Sequence, residues 1–255
     1  MGNSRARISR PVVVLTQPRR RSLRMAEPLA RAGARLVFAP MIRIAPPRSY
    51  AALDRAIKNL GRYDALVFAS QNSVEFFLRR WRKMGRPALP DALFAVGPGT
   101  ARAMRSHALG RAVIPKTFRA EQLARLILRA GARRVLLPRA REGREELPRV
   151  LRSHRVSVAA VEAYQTLPDP TGLPKLKAAA KNEITVVAFT SGSAVKSLFS
   201  QLGSARCRRM FRHAKAASIG PVTSAELRLR GVRRIIEAPE ATLESLARRI
   251  ASALS

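Results

Sequence analysis

Short runs of apolar residues recur along the chain, separated by longer stretches in which apolar positions return at helical spacing. In the first half, Val12–Thr16, Leu36–Ala39, Ala65–Ala69, Leu93–Val96 and Ala112–Pro115 are strand candidates. Their counterparts in the second half are Val135–Leu137, Val156–Val161, Thr185–Phe189, Ala217–Ile219 and Arg234–Glu237. The helical stretches between them end in glycine at Gly33, Gly85, Gly110, Gly131 and Gly203, the usual residue just past a helix C-terminus. Pro28 interrupts the first helical pattern and predicts either the start of a turn or a kink. Alternation of strand and helix throughout predicts an α/β fold with parallel, doubly wound sheets and right-handed crossovers.

The pattern occurs twice. Ala65-Leu66-Val67-Phe68-Ala69-Ser70-Gln71-Asn72-Ser73-Val74 has the grammar of Val186-Val187-Ala188-Phe189-Thr190-Ser191-Gly192-Ser193-Ala194-Val195, with Ser70 and Ser191 121 positions apart. Gly97-Pro98-Gly99-Thr100 matches Gly220-Pro221-Val222-Thr223 at a step of 123, and Glu121–Ile127 matches Glu244–Ile250 at the same step. Val13-Val14-Leu15 and Val135-Leu136-Leu137 lie 122 apart. Near-constant spacing predicts two related halves of about 120 residues. Two segments run long and extended into proline, Leu36–Pro47 and Ser157–Pro170. Such runs in equivalent places fit a chain that passes twice, side by side, between discontinuous domains. The expected fold is two doubly wound parallel-sheet domains of related topology joined by a two-stranded extended connector. One domain would combine 1–40 with 168–255 and the other would span 48–160, with connectors at 41–47 and 161–167.

Composition narrows the class. The 255 residues are 47% hydrophobic and 25% charged, as in soluble globular chains, and this excludes a mostly disordered chain. The apolar runs are too short to span a bilayer, and no convincing signal peptide opens the chain. One cysteine, Cys207, excludes an internal disulfide framework and fits a reducing cytoplasm. The net charge of +33 is unusual and points to a polyanionic partner, either nucleic acid or a polycarboxylate. It rests on 41 arginines against 8 lysines, spread along the chain rather than gathered in one tail. Since Arg and Ala both have G/C-rich codons, genome composition accounts for much of that excess. Few aromatics and no clustered basic stripe argue against recognition of single strands by stacking.

Several chemistries lack their residues. There is no P-loop, no complete dinucleotide fingerprint, no Gly-x-Ser-x-Gly elbow and no metal-ligand spacing among His107, His154, His213 and Cys207. Instead, four Ser/Thr/Gly turns each follow a predicted strand and open a predicted helix. These are Ser70-Gln71-Asn72-Ser73, Gly97-Pro98-Gly99-Thr100, Thr190-Ser191-Gly192-Ser193 and Gly220-Pro221-Val222-Thr223. Ligands of open α/β sheets lie at the carboxyl ends of strands, where free N–H groups and the helix dipole attract anions. Helix capping is the plainer role for each such residue. Four equivalent turns facing one another across a cleft would make a multi-point anion cradle. A fifth turn, 138–147, adds guanidiniums including Arg144, either as a carboxylate grip or as a solvated helix start. Tyr164 lies in the second extended segment, where its phenol is either a proton donor or a packing group.

At these residues the chain resembles the uroporphyrinogen-III synthase family over nearly all of 11–253. The matching pieces include Val14-Leu15-Thr16-Gln17-Pro18, Asp64–Val74, Ala95-Val96-Gly97-Pro98-Gly99-Thr100-Ala101, Gly143-Arg144-Glu145-Glu146-Leu147, Val161-Glu162-Ala163-Tyr164-Gln165-Thr166, Phe189–Val195 and Ile219–Ser224. Their order and spacing carry the likeness. It implies an enzyme without metal or organic cofactor that dehydrates and cyclises hydroxymethylbilane with inversion of ring D. An azafulvene cation and a spiro-pyrrolenine are the intermediates usually drawn. It implies Tyr164 as the group assisting water loss. Ser70, Asn72, Gly97, Thr100, Arg144, Thr190, Ser191, Ser193, Gly220 and Thr223 would bind the substrate's carboxylates. The expected partners are that substrate and a transient hand-over from hydroxymethylbilane synthase, with no specific nucleic acid and no membrane, for a cytoplasmic monomer. Gln17 departs from the arginine that many members carry before the proline. The alternatives are a non-catalytic two-domain anion-binding protein and a basic nucleic-acid binder.

Overall fold

The computed structural model describes residues 10–117, 119–180 and 183–254. Among the described residues, ten strands run in chain order: β1 (Val12–Leu15), β2 (Arg35–Phe38), β3 (Ile42–Ala45), β4 (Ala65–Phe68), β5 (Ala92–Ala95), β6 (Arg134–Ala140), β7 (Ser157–Pro168), β8 (Ile184–Phe189), β9 (Lys215–Ser218) and β10 (Ile235–Glu237). The helices are α1 (Arg19–Arg31), α2 (Ala51–Lys58), α3 (Gln71–Lys83), α4 (Pro98–Ser106), α5 (Ala120–Arg129), α6 (Glu146–Ser153), α7 (Gly172–Ala179), α8 (Gly192–Leu202), α9 (Ser204–His213), α10 (Pro221–Leu229) and α11 (Leu243–Ser252). The chain divides into two compact units, Met1–Arg43 with Leu167–Ser255, and Ile44–Thr166.

Each unit holds one sheet. The first has the order β2-β1-β8-β9-β10 and the second β3-β7-β6-β4-β5. β1 pairs in parallel with β2 and β8, and β6 pairs in parallel with β7 and β4. A shift of about 122 positions carries β1, β2, β4 and β5 onto β6, β7, β8 and β9. Under that shift β2-β1-β8-β9 becomes β7-β6-β4-β5, so the two sheets share one strand order. Each sheet is therefore assembled from half of each repeat.

The inner strands β1 and β4 are apolar throughout because both faces are covered. Val12 and Val14 join Phe189, Leu198 and Phe211 on one face of the first sheet, while Val13 and Leu15 join Met25, Leu29 and Ile250 on the other. In the second sheet Leu66 and Phe68 pack with Ile57 and Phe77, and Ala65 and Val67 pack with Leu123, Ile127 and Leu151. Each such fully buried large side chain contributes about 1.5–3 kcal/mol relative to exposure.

Three local expectations differ from the structure. Ala112–Pro115 is not a strand: only Val113 bridges Phe94, accepting from Ala95 N–H at 3.0 Å and donating to Leu93 O at 2.8 Å. Pro115 has no N–H to extend that ladder. The extended run from Leu36 breaks at Ala39–Met41 into β2 and β3, which belong to different sheets. The break is packed: a Cβ on Gly172 would lie 2.1 Å from Pro40 O and 2.6 Å from the Ala39 carbonyl carbon. Finally, α4 ends before Gly110, turning at Ala108 with φ 57°. Pro28 lies within α1, which continues through it to Arg31.

Candidate functional site

In the unit Ile44–Thr166, the candidate site lies where β4, β5 and β6 end, beside Tyr164 of β7. Ser70 follows β4 and caps α3: its hydroxyl accepts from Ser73 N–H at 3.1 Å, and Ser73 Oγ accepts from Ser70 N–H at 3.2 Å. This reciprocal box satisfies two amides that an uncapped helix start would leave open. Asn72 lies in the same first turn, half-buried. Gly97 follows β5 and opens α4 without any side-chain cap, with Pro98 at the first helical position and Thr100 6% exposed in the first turn. A Cβ on Gly99 would lie 2.8 Å from Gln71 Nε2, so the first turns of α3 and α4 stand side by side. Their amide ends make one electropositive edge.

Tyr164 comes to that edge from β7. Its hydroxyl lies 3.0 Å from Ser70 Oγ, and its ring stacks on Phe76 with centroids 5.7 Å apart. The residue is 7% exposed. The protons around Ser70 can be followed. Ser73 Oγ–H donates to Ser70 O at 2.7 Å, and Ser73 N–H occupies Ser70 Oγ as an acceptor. Ser70's own proton then has the Tyr164 oxygen at 3.0 Å as its nearer acceptor and Ser73 Oγ at 3.3 Å as the farther. A serine donating to the phenol oxygen leaves the phenolic proton for another acceptor.

Arg144 stands on the loop after β6 with its side chain exposed, and that loop adjoins Tyr164 because Arg141 N–H donates to Tyr164 O at 2.9 Å. Arg139, at the end of β6, is the residue that sequence reasoning passed over. It holds Glu145 in an ion pair, and its hydrogen bond pushes the Glu145 carboxyl below the ordinary carboxylate range. Its other partners are backbone carbonyls, which leave no mark in a sequence.

In the unit Met1–Arg43 with Leu167–Ser255, the equivalent turns follow β8 and β9. Ser191 caps α8, accepting from Ala194 N–H at 3.3 Å, with Thr190 half-buried before it and Ser193 exposed after it. Gly220 opens α10 without a side-chain cap, followed by Pro221, and Thr223 is 3% exposed in the first turn. A Cβ on Gly192 would make ordinary contact, at 3.6 Å, with Glu226 in the second turn of α10, so the start of α8 packs against that helix. Thr16 and Gln17 follow β1. Thr16 Oγ1–H donates to Ala188 O at 2.7 Å. Gln17 is 1% exposed; its amide nitrogen meets Met25 Sδ at 3.1 Å and its Oε1 has no partner among the described residues.

A protein-family model described as uroporphyrinogen-III synthase HemD matches residues 24–248. The chain belongs to the uroporphyrinogen-III synthase family. The uroporphyrinogen-III synthase of Synechococcus elongatus is 32% identical over 244 residues, covering 92% of this chain and 92% of that one. Among solved structures, a mutant uroporphyrinogen III synthase of Thermus thermophilus superposes with a TM-score of 0.69 at 20% identity, covering 96% of this chain and 98% of the other. The Helicobacter pylori enzyme superposes at 0.64 with 19% identity, covering 96% of this chain and all of the other, at 100%. These two likenesses establish the shared α/β fold with two mostly parallel sheets. Among the described residues of this family member, no helix is long and apolar enough to cross a membrane.

Proposed function

We propose that this family member is a cyclising lyase that converts hydroxymethylbilane to uroporphyrinogen III. The observation that carries the site reading is the Tyr164 hydroxyl held 3.0 Å from Ser70 Oγ, beside the uncapped start of α4. Tyr164 donates its proton, or a hydrogen bond, to the hydroxymethyl oxygen as the C–O bond breaks. The pyrrole nitrogen supplies the electrons and water leaves, giving an azafulvene cation. The α carbon of ring D that already carries the methylene bridge to ring C attacks this cation to form a spiro-pyrrolenine. Its bond to that bridge then breaks to leave an azafulvene cation on ring C. The free α carbon of ring D bonds to the bridge carbon, and loss of that α carbon's proton, to solvent or to the Tyr164 phenolate, restores the aromatic pyrroles. With the electronic push coming from the substrate, the protein's task is orientation and assistance to the leaving group.

The substrate's eight carboxylates need partners that do not trap the product. Neutral amides and hydroxyls at helix starts suit this. On the Ile44–Thr166 unit we assign that role to Ser70, Asn72, Gly97 and Thr100, with Arg144 as the charged grip. On the other unit we assign it to Thr190, Ser191, Ser193, Gly220 and Thr223. Capping and ligand binding are compatible: Ser191 uses its hydroxyl oxygen for the cap and keeps a proton to donate, while Ser70, whose proton faces the Tyr164 oxygen, keeps that phenol oriented at the same carboxylate site. We take the two compact units to be the enzyme's two domains and 41–47 and 161–167 to be the links between them.

Turnover tests the reading against a binding protein. Supplied with hydroxymethylbilane generated continuously, the purified protein should consume many equivalents per molecule and faster than spontaneous closure. Consumption that stops at one equivalent, or matches the protein-free rate, would leave an anion-binding protein instead.

A further inference from the structure

Arg139 is the one arginine of its turn that lies within β6, and its guanidinium is turned inward. Its side chain is 17% exposed. Nη1 donates to Gly143 O and to Arg144 O, both at 3.1 Å, and Nη2 donates to the Glu145 carboxylate. The same loop is closed by Gly143 N–H on Ala140 O at 2.9 Å and anchored by Arg141 N–H on Tyr164 O at 2.9 Å. Gly143 has no room for a side chain, since a Cβ there would lie 2.9 Å from both Ala140 O and Arg139 Cδ. The loop is thus wound around one guanidinium, and what it turns outward is Arg141, Glu142 and Arg144, all exposed, with the two arginines on either side of the one acid.

We propose that Arg139 is a positioning residue: it shapes the 141–145 loop so that Arg144, with Arg141 beside it, is held next to Tyr164 to grip a carboxylate of the substrate. The inference rests on the reading of the protein as a synthase of this bilane. Its chemistry is specific to arginine. A planar fork reaches two carbonyls and a carboxylate at once, whereas a lysine ammonium on a flexible stem is a single point charge. By neutralising Glu145, Arg139 also removes a neighbouring carboxylate that would compete with the substrate for Arg144. A loop held this way lowers the ordering cost of binding without touching the chemical step.

The test is steady-state kinetics of Arg139→Lys, Gly143→Ala and Arg144→Gln, with the uroporphyrin isomers separated and the melting midpoint measured for each. Arg139→Lys should raise KM about ten-fold or more, corresponding to loss of one charged, two-pronged contact. kcat should change less than about three-fold, and the product should remain type III. Gly143→Ala should do the same by a different route. Arg144→Gln in the Arg139→Lys background should add little, because both act on one contact. An Arg139→Lys enzyme that melts normally and keeps the wild-type KM overturns the proposal, as does full additivity with Arg144→Gln. If Arg139→Lys does not fold, Gly143→Ala carries the same comparison. Wild-type protein that yields only type I product sinks the synthase reading itself, and this inference with it.

Discussion

Tyr164→Phe separates a working phenol from a packing one, because the substitution removes a single oxygen. The ring keeps its stack on Phe76, 5.7 Å between centroids, and its place in a core with Leu66, Phe68 and Phe77. No cavity larger than the hydroxyl opens. Ser70 loses the partner at 3.0 Å but keeps Ser73 Oγ at 3.3 Å and its cap on Ser73 N–H. The stability cost is therefore one neutral hydrogen bond, about 1 kcal/mol. For a chain of this size that lowers the melting midpoint by about 2–4 °C. The catalytic cost is larger. A positioned proton donor contributes about 10²–10⁴-fold, or roughly 3–5 kcal/mol at 1.36 kcal/mol per decade. The assay is the initial rate of bilane consumption at saturating substrate, alongside thermal unfolding of the same preparation. kcat should fall at least a hundred-fold while KM moves little. A folded Tyr164→Phe protein retaining more than about a fifth of wild-type kcat would show that the phenol only packs.

Other consequences follow from single contacts. Ser70→Ala removes both the α3 cap and the hydroxyl facing Tyr164, so it should cost more stability than Tyr164→Phe, about 2 kcal/mol by urea unfolding; a loss no greater than that of Tyr164→Phe contradicts this. Gly172→Ala drives a Cβ to within 2.1 Å of Pro40 O and should lower the urea midpoint by an amount worth about 1–3 kcal/mol or more, since both partners are backbone; an unchanged midpoint refutes it. Cys207 is wholly buried and burial pushes its thiol up to about 12, so a thiol reagent at pH 8 should label it only after denaturant is added. The Asp64 carboxyl is held below the ordinary aspartate range by N–H donation from Arg133 and Arg134, at 2.8 and 2.7 Å. A depressed folded-state value adds stability above the unfolded value, about 3.9, that is lost as pH falls through the folded one. The stability gap between wild type and Asp64→Asn should hold at neutral pH and close in acid; a gap that widens in acid refutes the assignment.

The repeat was legible because it is written in buried strands. Apolar runs such as Val12–Leu15 and Val135–Leu137 need cover on both faces, and equal spacing between such runs demands equal strand order. The break at Pro40 was not legible, since an apolar extended run continues through it and only the close approach of Gly172 shows the turn. Ala112–Pro115 read as a strand by its apolar residues, but the proline limits it to one bridge. At the site, Ser/Thr/Gly turns marked the helix starts correctly, yet local sequence does not distinguish a cap from a ligand contact, and Ser70 serves as a cap whatever else it does. Arg139 was not singled out among the arginines of its turn because two of its three partners are the carbonyls of Gly143 and Arg144, and any residue type carries those. Gln17, buried with an Oε1 that has no partner among the described residues, stood out in sequence only as a departure from the resembled family.

The central claim is that this chain directs the closure of hydroxymethylbilane. The most direct test is the isomer composition of the uroporphyrin formed when the bilane is generated in the presence of the protein and the product is oxidised and separated by chromatography. Unassisted closure gives the symmetric type I ring. The structure and family membership predict type III as the dominant isomer, in proportion to added protein. Type I alone, from protein shown to be folded, would contradict the account.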